Sequence, residues 1–82
     1  NLVKQVVQMY PNPSRNVVTL NAGDVLIQSV RILDLQGRLV LPVQMKKPEN
    51  QIVVEIQALH VGTYLVEIQT KQGITVGRLV KE

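Results

Sequence analysis

Apolar and polar residues alternate along most of this 82-residue chain, and turn-forming residues interrupt the alternation at intervals of roughly 8 to 12 positions. A period of two puts alternate side chains on one face of a strand, so the pattern predicts a small sandwich or barrel of about seven strands. The first runs to about Tyr10 and stops at Pro11-Asn12-Pro13, where two prolines lack the amide protons a ladder needs. The second covers residues 16–20 and leads into the turn signal Asn21-Ala22-Gly23-Asp24. Residues 27–35 and 38–44 form the clearest hairpin, with Gln36-Gly37 at a bend where glycine accepts positive φ. Its inward candidates are Val30, Ile32, Leu39 and Leu41.

Residues 45–50 carry two lysines, a proline and an asparagine, which predicts a solvated loop. The strand over 51–56 then points Ile52, Val54 and Ile56 inward, with Val53 and Glu55 on the other face. After a short connection in which Leu59 plugs one end, Gly62 opens a strand over 63–70. Tyr64, Val66 and Ile68 share its inner face, and Glu67 and Gln69 its outer one. Lys71-Gln72-Gly73 turns the chain into a last strand over 74–80. No segment carries a helical stripe of three or more turns. The fold class is all-β, a seven-stranded antiparallel immunoglobulin-like β-sandwich, and the spacing of Leu59, Gly62 and Tyr64 is similar to the tyrosine corner of such folds. Ile32, Leu39, Ile52, Val54, Tyr64, Val66 and Ile68 are expected to be buried.

Composition narrows this further. Hydrophobic residues make up 45% of the chain and charged residues 18%, a globular rather than a disordered balance. With no Phe or Trp, and Tyr10 and Tyr64 as its only aromatics, the core must be closed by Val, Leu and Ile. There is no Cys, so the fold is indifferent to redox compartment, and the single His60 cannot form a zinc site alone. The net charge of +3 is spread from Lys4 to Lys81. Without clustered cations or stacking aromatics, nucleic acid is not an expected partner. The longest apolar run, Leu39-Val40-Leu41-Pro42-Val43, is far short of the ~20 residues of a spanning helix, so direct membrane insertion is not expected. Because the sequence starts at Asn1 and lacks signal-peptide order, residues 1–82 are expected to be one domain cut from a longer precursor.

Catalysis needs a nucleophile beside a base, or paired groups with separated pKa values. Ser14 and Ser29 have no evident His partner, there is no Gly-x-Ser-x-Gly elbow, and Asp24 and Asp34 lack calcium-loop spacing. The expectation is a domain that is not an enzyme and carries no cofactor or metal.

Four stretches together carry a family resemblance. They are Tyr10-Pro11-Asn12-Pro13-Ser14; residues 30–40, with Asp34-Leu35-Gln36-Gly37-Arg38 at their centre; residues 59–68, with Gly62-Thr63-Tyr64; and the ending from Gly73 through Arg78-Leu79-Val80-Lys81. In this order the chain resembles the C-terminal sorting domain of the type IX secretion system of Bacteroidetes. Val61 and Leu33 depart from the family's usual small residue or proline and its usual aromatic, but both keep the strand pattern apolar.

The resemblance implies a C-terminal secretion and sorting signal. The cargo would cross the periplasm, be recognised through the folded domain by the outer-membrane type IX translocon, and reach the cell surface or be secreted. Surface attachment proteins and a sortase-like protease would be further partners. Two alternatives stand beside it: an immunoglobulin-like protein-binding module, and a domain retained by a component of the secretion machinery. For recognition, the candidates are Gly73, Arg78, Leu79, Val80 and Lys81 on the last strand and its turn, because a terminal edge strand is open to a partner. Gly37 and Arg38 come second, since Arg38 can also pair with Asp34 across the hairpin. Tyr10, Pro11, Asn12, Pro13, Gly62 and Tyr64 are expected to be structural.

Overall fold

A computed structural model describes residues 7–82, so the beginning of the first predicted strand lies outside the described residues. Seven strands follow: β1 (Gln8–Tyr10), β2 (Val17–Asn21), β3 (Ile27–Leu33), β4 (Leu39–Val43), β5 (Gln51–Glu55), β6 (Gly62–Thr70) and β7 (Gly73–Lys81). They form two antiparallel sheets, one ordered β1-β2-β5 and one ordered β4-β3-β6-β7. The sheets pack face to face as an immunoglobulin-like sandwich.

The core lies between the sheets. The three-stranded side supplies Val18, Leu20, Ala22, Val54 and Ile56, and the four-stranded side supplies Ile27, Val30, Ile32, Val66, Ile68 and Leu79. Each full burial of such an aliphatic side chain is worth about 1.5–3 kcal/mol, and together these side chains replace the missing Phe and Trp. Val54 and Ile56 are buried as the alternation requires, while Ile52 and Tyr64 are partly buried and pack against the core.

Leu39 is the exception, being 49% exposed. Ile32 faces Leu41 but Leu33 faces Leu39, so the ladder slips by one residue at this point. An extra residue reverses the phase of the alternation, and Leu39 falls on the outer face next to Leu33. Leu41 packs against the core as the alternation requires, with Val43 beside it, so of the inward candidates in this hairpin Leu39 alone falls on the other side. The hairpin loop also begins earlier than the apolar run suggests, since β3 ends at Leu33 and not at Leu35.

The loop between β4 and β5 has exposed lysines, as its composition implies, yet its end is tied to the sandwich. Ile27 N–H donates to Glu49 O at 2.7 Å, and Ala22 N–H donates to Asn50 O at 2.8 Å.

Candidate functional site

The last strand is an edge, because β7 pairs only with β6 on one side. Its side chains divide by alternation. Leu79 is fully buried and Lys81 is 8% exposed, with its Nζ donating to the Glu82 carbonyl at 3.0 Å. Ile74, Val76 and Arg78 point outward and are exposed, and Val80 is half-buried on the same side. Of the sequence candidates on this strand, Leu79 and Lys81 are therefore anchors, whereas Arg78 and Val80 lie on the surface.

The outer backbone edge of β7 is divided as well. Asn12 Nδ2 donates to Arg78 O at 2.8 Å, and Val80 N–H donates to Asn12 Oδ1 at 3.0 Å. Two residues on, Ser14 N–H donates to Val80 O at 2.9 Å, and Glu82 N–H donates to Ser14 O at 2.8 Å. The second set is a parallel β-bridge between Ser14 and Lys81. The first has the same form, one donor to the residue before Leu79 and one acceptor from the residue after it, but it is made by a side-chain amide. Pro11 and Pro13 carry no N–H, so the Asn12 amide supplies the peptide-like group that this stretch lacks. Ser14 is itself buried, and its Oγ donates to Pro11 O. Tyr10–Pro11 and Asn12–Pro13 are both cis.

Both prolines thus end β1 as expected, but the Asn12 contact with a strand 66 and 68 positions away is not visible in local pattern. The available signal was an amide-bearing residue between two residues that cannot donate. A second contact that the alternation misses lies at Gly77, where an added Cβ would come 2.5 Å from Met9 Cε. That close approach lets β1 of one sheet pack against β7 of the other.

The hairpin residues Gly37 and Arg38 belong to a self-contained turn. Gly37 N–H donates to Asp34 O at 3.0 Å, Asp34 N–H donates to Arg38 O at 2.8 Å, and Gly37 has φ 87°, which only glycine adopts readily. Asp34 Oδ1 accepts the amides of Gln36 and Arg38, each at 2.9 Å, and Oδ2 accepts Arg38 Nε at 2.8 Å. The Arg38 amide first, and then its side chain and the Gln36 amide, hold the Asp34 carboxyl below the usual carboxylate pKa. Arg38 does pair with Asp34 across the hairpin, although its side chain remains 77% exposed.

Tyr64 completes the same end of the fold. Its hydroxyl donates to His60 O at 2.7 Å, four residues upstream, in the manner of a tyrosine corner. Registers place Leu33 beside Leu65, Leu65 beside Arg78, and Gly62 beside Lys81. The Asp34–Arg38 turn, the Tyr64 corner, the Asn12 rung and the end of β7 consequently share one end of the four-stranded sheet. Strand spacing puts β3 about 10 Å from β7 there. Gly73, at the other end of β7, is about 27 Å away by strand rise, so it shapes a turn remote from the other candidates.

Among the described residues no group of three or more His, Cys, Asp or Glu comes together in a way that could hold a metal ion. A sequence model of the family described as the secretion system C-terminal sorting domain matches residues 8–82. No curated protein matches the chain.

Proposed function

This chain belongs to the family of C-terminal sorting domains of the type IX secretion system, and from that membership we propose that the outward side of folded β7 is what the secretion machinery reads. The family's domains are sorting signals: they bring a cargo to the secretion machinery, which exports it to the cell surface or releases it. In the finer reading, the cargo waits in the periplasm with this domain folded, and the outer-membrane translocon binds the domain there. Surface attachment proteins then receive the cargo, and a sortase-like protease removes the domain. The domain itself catalyses nothing and holds no metal or cofactor; the buried Ser14 hydroxyl donates to Pro11 O and is not paired with a base.

The observation that carries the reading is the division of β7. Ile74, Val76 and Arg78 stand exposed in a row on an edge strand, while Leu79 and the Lys81 stem fix that strand to the core. An apolar row ending in an exposed guanidinium gives a partner both buried area and a charge to orient it. Gly37 and Arg38 border the same end, and Arg38 keeps its Nη groups free for a partner's carboxylate while Nε stays with Asp34.

The test is export of a periplasmic reporter carrying residues 1–82 at its C-terminus, in cells with and without the type IX translocon. Surface delivery only in the first strain supports the reading, and a reporter held in the periplasm of both overturns it. The mass and N-terminus of the surface form then decide the protease step.

A further inference from the structure

We propose that Asn12 is a positioning residue for sorting, one that fixes the last residues of β7 in the geometry the machinery recognises. The proposal rests on the reading of β7 given above and extends it to a residue at the other end of the sequence. Asn12 is exposed, contributes nothing to the core, and spends both halves of its amide on the backbone of Arg78 and Val80. A free edge would leave those groups to water, and residues 78–82 could fray away from β6. With the Asn12 rung and the Ser14 bridge in place, the stretch is held on both sides, and the outward side chains of Arg78 and Val80 take fixed positions.

The requirement for asparagine is chemical. Aspartate has the same shape but no donor for the Arg78 carbonyl, and its charge faces that oxygen. Glutamine has the right groups one methylene too far out. Alanine has neither group. Backbone bonds from Ser14 remain in all three variants, so the sandwich should stand while the end of β7 loosens.

The experiment compares the native reporter fusion with Asn12→Asp, Asn12→Ala and Arg78→Glu. Each is assayed for export in cells with the translocon, for thermal melting, and for amide hydrogen exchange at Val80 and at Val66. The proposal expects the Asn12 variants to melt cooperatively, to keep Val66 protected and to lose most export. Val80 should exchange on the order of tenfold faster in Asn12→Ala, which has no acceptor for that amide, whereas Asn12→Asp keeps an acceptor and loses only the bond to Arg78 O. Normal export in a variant whose Val80 amide exchanges faster would overturn it, while loss in Arg78→Glu would leave the reading of β7 intact. Loss in the Asn12 variants with normal export in Arg78→Glu would overturn both. If either Asn12 variant melts with Val66 unprotected, Asn12 holds up the whole sandwich rather than the end of β7, and the positioning role is likewise overturned.

Discussion

Two single residues on the shared end of the fold have effects that can be separated by chemistry. Asp34 carries a carboxyl whose pKa is lowered in the folded state by the Arg38 amide and side chain and by the Gln36 amide. A lowered folded pKa stabilises the native state above the unfolded value, about 3.9, and that contribution disappears as pH falls through the folded value. The melting-temperature gap between the native protein and Asp34→Asn should therefore be open at neutral pH and close below about pH 4. Equal gaps at both pH values would remove the carboxylate from the account. Tyr64 divides differently. Tyr64→Phe loses only the bond to His60 O and should cost about 0.5–1.5 kcal/mol, whereas Tyr64→Ala also empties a partly buried site and should cost about 3 kcal/mol in denaturant titration. Both residues were legible in the sequence because their partners lie four positions away, within reach of local reasoning.

Strands were legible as far as their alternation ran unbroken. β5 and β6 present the faces their sequence spells out, and so do Leu41 and Val43 of β4, but the slip between Ile32 and Leu33 puts Leu39 on the outer face, and nothing in the apolar run 39–43 marks it. Long-range pairings were less visible still, since Asn12 and Met9 meet β7 across most of the chain's length. The Met9–Gly77 contact gives a test of how tightly β1 and β7 are fitted. Gly77→Ala sets a methyl against Met9 Cε, the movable end of a flexible side chain, so it should cost about 1 kcal/mol or somewhat more. In Gly77→Ala combined with Met9→Ala, the steric part should vanish, leaving the double variant less destabilised than the sum of the two. Strict additivity in chemical denaturation would mean that the two residues do not press on one another.

For the molecule as a whole, the sandwich turns four separated sequence stretches into one end of a sheet, with the exception of Gly73. The stretches themselves were readable one by one, while their meeting depends on strand order, which local pattern does not encode. Strand order also makes β7 an edge whose anchors and exposed side chains alternate, so that a change in what the partner sees need not change the fold. Deleting the last residues cannot separate these effects, because Leu79 is part of the core. Substitution on the outward side can. The most direct measurement is export of the reporter fusion carrying Val76→Glu with Arg78→Glu, set beside Lys46→Glu with Lys47→Glu, both lysines being exposed in the β4–β5 loop. The loop pair shifts the net charge further toward negative than the strand pair does, so charge alone would harm it more. With circular dichroism and melting showing both proteins folded, the strand pair should lose at least about tenfold in export and the loop pair should stay near native. Normal export of the folded strand pair would contradict recognition through β7.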